Sequence, residues 1–498
     1  MPAKQAKEAV AAGVPLSPLL PLENDWLDST ADRLRDRQTA WEGYQRADLI
    51  SNEELQMLRD AEQAGREHKM QTVLEKGAAY AALYMRLLNR LNRADTLQQV
   101  LLLSNDLAQA APDKLGWFFA PADEEDATYD QPFQSTVKLL DVDNAYVNLK
   151  GAQLLAIFAT FQGDASAQAP KGALEALVRY IYKVFGAAIG RDGSTADESE
   201  GNATLIVLTI LADALRVDKF RRLVWHMSED AYEHPNQDTF NLVSHLITIV
   251  RTTAHARTQS SARDAPVAGK PQEQYLTLLC LWILSFDKDA ASKLETHFSI
   301  APVLVYAAET ALKQKIVRLV IGIWSNMLAA EPKANATRLL GAKTLVLCET
   351  LEGRKYADKE MEAELEHVMR TLDNRLAQMS SYDQYCSELY SGKLSFDNPV
   401  HALDDFWKEN AEKLVENDDK VLRQLVSLLK PGAHTDEETL AVACSDMGKF
   451  IHYFDGARRH LDKAGAKQVI MSLIDHADGN VKYHALQTLA RLVSTSWK

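Results

Sequence analysis

Thirteen histidines, four cysteines and 69 carboxylates are the groups from which this 498-residue chain would have to build a catalytic or metal site, and their spacing builds none. His226, His234, His245 and His255 follow one another at intervals of 8, 11 and 10, which fit no ligand pattern, so they read as surface or helix-end histidines. The zinc-protease motif H-E-x-x-H is absent. The Gly-containing run 186–195 lacks both the lysine and the preceding strand of a phosphate-cradling loop. Asp141-Val142-Asp143-Asn144 has the first acidic positions of a calcium loop, but Tyr146 stands sixth, where a glycine must make the turn. Cys280, Cys348, Cys386 and Cys444 lie far apart in helix-like patterns, with no C-x-x-C pair, and read as buried reduced thiols. The chain is therefore expected to be no enzyme and to carry no cofactor or metal.

The aromatic residues raise a second chemistry, the gripping of basic peptides by tryptophans each followed one helical turn later by asparagine. Trp324 has Asn326 only two positions on, and Trp225 and Trp282 have no asparagine at the fourth position. All three are expected in the core. A net charge of −14 and a pI near 5.5 speak against nucleic acid or anionic lipid as partners, since both demand dense positive charge. The first 25 residues lack the continuous apolar core of a secretory signal, and the most apolar run, 276–286, falls short of the roughly 20 residues needed to cross a bilayer. A cytosolic chain without membrane insertion is expected. The triplets at Asn202 and Asn335 that match a glycosylation site are discounted on that ground.

The elements that would carry any site are helices. Over 460–493, Ala466, Val469, Ile470, Leu473 and Ile474 form one stripe, a break follows at Ala477-Asp478-Gly479-Asn480, and Val481, Ala485, Leu489 and Leu492 form a second. Neither helix can bury its stripe alone, so this armadillo-type unit needs stacked neighbours. Comparable stripes recur over 70–91, 97–110, 143–161, 172–188, 202–215, 218–226, 239–251, 272–286, 301–311, 313–329 and 339–351. Beyond them come 359–379, 382–391, 400–415, 418–429 and 436–453. Period-two alternation is nearly absent, so the predicted fold is an all-α armadillo/HEAT-like helical-repeat solenoid in two lobes joined by a short hinge.

Residues 1–25 read as a mobile N-terminal arm, 26–354 as the first solenoid and 355–498 as a smaller C-terminal domain, with the hinge at the charged break 352–358. The acidic stretch 123–126 and the polar breaks 192–200 and 255–272 read as surface loops. Ser51 with Glu54 and Thr435 with Glu438 have capping-box spacing. Between the predicted helices 418–429 and 436–453, Lys430, Pro431, Gly432, Ala433, His434, Thr435 and Asp436 must project from the stack and form the candidate partner-contact loop.

Several stretches in order along the chain carry a family resemblance. Trp41-Glu42-Gly43-Tyr44-Gln45-Arg46-Ala47, Cys280-Leu281-Trp282-Ile283-Leu284-Ser285-Phe286, Ser381-Tyr382-Asp383-Gln384-Tyr385, Phe406-Trp407-Lys408-Glu409-Asn410-Ala411 and Val481-Lys482-Tyr483-His484-Ala485-Leu486 resemble the H subunit of the vacuolar-type proton-pumping ATPase (V-ATPase). The resemblance implies a non-catalytic regulatory component of the pump's soluble sector. Its expected partners are the E and G subunits of the peripheral stalk, the catalytic hexamer of A and B subunits, the membrane-bound a subunit and, in the detached sector, the central rotor. Such a component is needed for proton transport in the assembled pump and suppresses ATP hydrolysis when the soluble sector detaches. It would sit on the cytosolic face of vacuolar and endosomal membranes through the complex. The alternative, resting on the repeat fold alone, is an armadillo-type adaptor for peptide motifs of cargo.

Overall fold

A computed structural model describes residues 22, 24–119, 131–161, 169–189, 198–235, 240–258, 271–354, 356, 358–377, 379, 381–431 and 435–494. The acidic stretch 123–126 and most of the predicted arm lie outside the described residues, as does the greater part of the two polar breaks. Among the described residues every regular element is a helix. The chain divides into two compact units, Met1–Asp287 and Lys288–Lys498.

In the first unit the helices are α1 (Asp25–Arg35), α2 (Trp41–Arg46), α3 (Asn52–Gln63), α4 (Gly65–Glu75), α5 (Gly77–Arg90), α6 (Ala94–Ala110), α7 (Gln131–Lys138), α8 (Ala145–Thr160), α9 (Lys171–Ile189), α10 (Glu198–Ala214), α11 (Asp218–Glu233), α12 (Leu242–Thr258) and α13 (Pro271–Leu284). A 3₁₀ turn, Pro112–Phe119, follows α6. The long helices form a ladder, α6 on α8, α8 on α10 and α10 on α13, which is the repeat stacking that the stripes require. Val147, Leu154, Leu155 and Phe158 of α8 are all fully buried between its neighbours. The Ser51 capping box is present: its hydroxyl accepts from Glu54 N at 3.1 Å and the Glu54 carboxylate accepts from Ser51 N at 2.8 Å. Asn144 caps α8, its side chain accepting from Val147 N at 3.0 Å. The predicted helix 70–91 is two helices broken at Lys76, and Gly77, which opens the second, leaves room for the Trp117 ring that a Cβ at that position would overlap.

The second unit holds α14 (Lys288–Phe298), α15 (Ile300–Glu309), α16 (Gln314–Ala330), α17 (Pro332–Gly341), α18 (Thr344–Glu352), α19 (Lys359–Leu376), α20 (Ser381–Ser391), α21 (Asp404–Asn410), α22 (Glu416–Ser427), α23 (Glu437–Tyr453), α24 (Ala457–Lys463), α25 (Ala466–Leu473) and α26 (Gly479–Val493). The predicted helix 339–351 divides at Lys343, whose φ of 61° turns the chain between α17 and α18. The region 400–415 is not one helix. Asp404–Asn410 is flanked by 3₁₀ turns at Pro399–His401 and Ala411–Val415, and Leu403 is 52% exposed at its N-cap.

The segment 352–358 lies inside this second unit. Arg318 of α16 pairs with Asp358 and, at 2.9 Å, with Glu360, while Asp358 caps α19. Helix α17 approaches α20 so closely that a Cβ on Gly341 would overlap the Ser387 carbonyl oxygen, an approach only glycine permits.

Helix α14 escapes the sequence pattern because a carboxylate occupies one of its core positions. Glu295 is 1% exposed, and its Oε2 accepts from Ala301 N at 2.6 Å. It thereby caps α15, whose own N-cap, Ser299, is left-handed and makes no side-chain cap. Burial pushes the Glu295 carboxyl up to about 7, against the backbone N–H groups of Ala301 and Ile300 and the Arg338 charge that hold it down. A raised native pKa means that the folded state keeps the proton. Its contribution is complete below about pH 4.5 and is lost as pH rises through 7. Glu295→Gln keeps the acceptor for Ala301 and removes the titration. Thermal melts of this variant should lose the decline between about pH 4.5 and 7 and gain roughly 2–3 kcal/mol at pH 8 over the parent; unchanged pH dependence would assign the decline to other groups.

Candidate partner-contact surface

The candidate loop is pinned at both feet. Lys430 and Pro431 are exposed, whereas Leu428 and Leu429 just before them are buried. Gly432, Ala433 and His434 lie outside the described residues. Thr435 does not cap α23 as its spacing predicts. Its hydroxyl donates to the Leu428 carbonyl at 2.9 Å, tying the loop's exit to its entry, and the cap is Asp436, whose carboxylate accepts from Thr439 N at 2.7 Å. Glu438 consequently has no capping box to complete. Its Oε1 accepts instead from the Ser395 hydroxyl at 2.7 Å and the Phe396 N–H at 3.2 Å.

At the other end of α22, Asn417, Asp418 and Asp419 occupy left-handed backbone in succession, with φ of 51°, 62° and 59°. Each such residue costs about 1–3 kcal/mol unless its surroundings hold it, and Asn and Asp tolerate the conformation best. The hold is visible in Asp419, which is buried. His460 Nδ1 lies 2.8 Å from one carboxylate oxygen and Lys463 Nζ 3.4 Å from the other. Burial opposes ionisation, yet these two partners hold the carboxyl below its usual range. The start of helix α22 is thus bolted to α24.

Beneath them is a polar group of three that the sequence pattern does not flag. His401 is 1% exposed; its Nδ1 sits 2.9 Å from both Asp446 carboxylate oxygens and its Nε2 3.3 Å from Glu388. Burial alone would push the imidazole down, but the two carboxylates bring it up to about 10, so it is an imidazolium at neutral pH. Glu388 also accepts from Ser395 N and Asn398 Nδ2, so one cluster fastens the turn 392–401 to α20 and α23. A wall of rings closes over it: Tyr385 lies 5.8 Å from His401, 5.4 Å from Phe406 and 5.5 Å edge-on from Trp407. Glu388 and Asn398 also border a cavity of about 210 Å³ together with Gly341, Met379 and Ser387, while the geometry of the cluster positions helices.

Two family models, each described as the H subunit of the V-ATPase, match residues 25–372 and 378–497. The chain belongs to the V-ATPase H-subunit family. It is similar to the V-type proton ATPase H subunit of Drosophila melanogaster, with 25% identity over 95% of this chain and 91% of that protein. The probable H subunit of Oryza sativa subsp. japonica is 26% identical over 94% and 97%, and that of Dictyostelium discoideum 24% over 93% of each. The two family matches meet at the end of α19, between residues 372 and 378.

Trp407 lies in one of the stretches that resemble the V-ATPase H subunit, and the structure gives it a packing role. It is fully buried, as are Trp225 and Trp324, whereas Trp282 is half-buried against Phe286. Asp446 could have been noticed as a carboxylate beside the apolar stripe Leu440, Ala443, Cys444, Met447 and Phe450; nothing in the spacing connects it with Glu388 or His401. Trp407→Ala should lower the stability of the second unit by about 3–5 kcal/mol, read as an earlier thermal transition of the full chain. An unchanged melt would remove Trp407 from the core's energetics.

Proposed function

We propose that the chain is a regulatory, non-catalytic component of the soluble sector of the vacuolar-type proton pump. In this reading it bridges the peripheral stalk of E and G subunits, the catalytic hexamer of A and B subunits and the membrane-bound a subunit, with the central rotor as a further contact in the detached sector. The observation that carries it is the pair of H-subunit matches in tandem along almost the whole chain. Stiff helical stacks suit the task because they present long surfaces to several partners without moving parts in the core. No described helix is long and apolar enough to cross a membrane, and a place on the cytosolic face of vacuolar or endosomal membranes would follow from attachment to the pump. Co-purification tests the reading: the chain should travel with ATPase subunits, whereas a cargo adaptor would bring down unrelated proteins sharing a short motif.

Regulation is assigned in this proposal to Lys430, Pro431, Gly432, Ala433, His434, Thr435 and Asp436. The Thr435 and Asp436 hydrogen bonds support the assignment by holding the loop's feet, so that its tip can meet a partner without ordering the entire segment. A contact favoured in one rotational state is enough to stop hydrolysis, since a regulator acts through differential affinity. Replacing 430–436 with a Gly/Ser linker should leave melting and stalk binding unchanged and raise ATP hydrolysis by the detached sector severalfold. Hydrolysis that stays suppressed with the folded, bound variant would make the loop a passive turn.

The lobe boundary, 26–354 against 355–498, is likewise proposed. With Arg318 clamped to Asp358 and Glu360, bending at 352–358 requires those pairs to open. Limited proteolysis should cut within 352–358 faster in Arg318→Ala than in the parent; cleavage elsewhere in both proteins would reject the hinge.

A further inference from the structure

The last helix is apolar on both sides. Val481, Ala485 and Leu492 of α26 are buried, and α23 and α25 pack against this helix. On the opposite side Tyr483, Leu486, Ala490 and Val493 recur at helical spacing and stand in solvent, with Leu486 48% and Val493 59% exposed. A helix face that stands in solvent is normally polar. Here the outer face has the composition of an interior one.

The surroundings say what would cover it. Helix α26 carries no acidic residue between Gly479 and Val493; Lys482 borders the stripe and is paired with no carboxylate among the described residues, whereas Arg491 turns its guanidinium toward Gly448 of α23. The stretch 457–493 holds six Lys or Arg against three Asp, in a chain whose net charge is −14. At one edge Phe396 is 43% exposed, held by the bond from its N–H to Glu438 and set 5.3 Å from the His484 ring. An exposed aromatic already fixed in place loses little entropy when it is covered.

We propose that this face docks an acidic amphipathic helix that lies along α26 and continues the stack, its apolar stripe on Leu486 and Val493 and its carboxylates toward Lys482. The stripe is about 16 Å long at 1.5 Å per residue and about one helix wide. Its footprint is therefore a few hundred Å², below the roughly 1,000 Å² that a free-standing interface needs. A second free copy of this chain would not be held by so small a face. The occupant is a helix of a partner already tethered nearby, for which even a weak contact is occupied at a high effective concentration. Tethering within a pump assembly rests on the function proposed above; the chemistry of the face does not.

Methyl NMR of the full chain tests the face directly. The probe is a synthetic 18-residue helix with leucines on one stripe and glutamates on both flanks, titrated into the millimolar range. Shifts should concentrate at Leu486 and Val493. Lys482→Glu should weaken binding about threefold, Leu486→Asp should abolish the Val493 shift without altering the melt, and a lysine-flanked peptide should bind at least tenfold more weakly. Equal binding of both peptides, absence of shifts, or shifts that follow protein concentration alone, as self-association would produce, would each overturn the proposal. Because the probe needs no other part of the pump, failure here is distinguishable from failure of co-purification.

Discussion

No helix in this chain can bury its own apolar stripe, and the rest of the structure follows from that constraint. A stripe of four or five residues on one side of a helix removes its apolar area from water only when a neighbour supplies the matching face. In the first unit the constraint is met by the succession α6, α8, α10 and α13, in which α8 is covered by α6 and α10, and α10 by α8 and α13. In the second unit the closing pair is α23 and α26. They approach until a Cβ on Gly448 would stand 2.9 Å from the Thr488 hydroxyl, which itself donates to the Cys444 carbonyl at 2.6 Å. Function enters through faces in such an architecture, because the cores are consumed by stacking.

The stacking leaves backbone groups at every helix end, and buried polar side chains are spent on them. Glu295 caps α15 from within α14, and Glu388 receives Ser395 and Asn398 while it shares His401 with Asp446. Asp419 steadies a left-handed turn through His460. A buried charge is tolerated when it is paired and hydrogen-bonded, and removing one partner strands the other. These residues join helices far apart in sequence, so they act as specific fasteners between surfaces that apolar contact alone would allow to slide. The same device extends to the surface where Glu438, freed from capping its own helix, holds Phe396 beside His484.

The family assignment and the geometry answer different questions. Tandem matches to the V-ATPase H subunit over 25–372 and 378–497 say to which group of proteins the chain belongs. The geometry says which of its surfaces are prepared: a loop held at both feet, and helix α26 with an apolar outer face beside Lys482. Neither has the enclosed, convergent polar groups of a catalytic centre.

What the sequence by itself determined is everything governed by period: the all-helical class, the terminal repeat with its break at Ala477-Asp478-Gly479-Asn480, the Ser51 cap, and the burial of Trp225 and Trp324, whereas Trp282, expected in the core with them, is half-buried. These depend on the spacing of residue types along one helix, which is local information. Tertiary structure alone decided the rest. It broke 339–351 at Lys343, where the backbone becomes left-handed, and dismantled 400–415 so that His401 could reach Asp446 and Glu388. It recruited Glu295 into a core position, which hid α14 from the apolar pattern, and moved the cap of α23 from Thr435 to Asp436. In each case the partner lies on a different segment or the competing group is equally suited by type, so no single-helix pattern carries the choice. Whether an apolar residue faces the core or the solvent is decided in the same way: Leu486 and Leu489 lie three positions apart on one helix, and only the neighbours of α26 make the first exposed and the second half-buried.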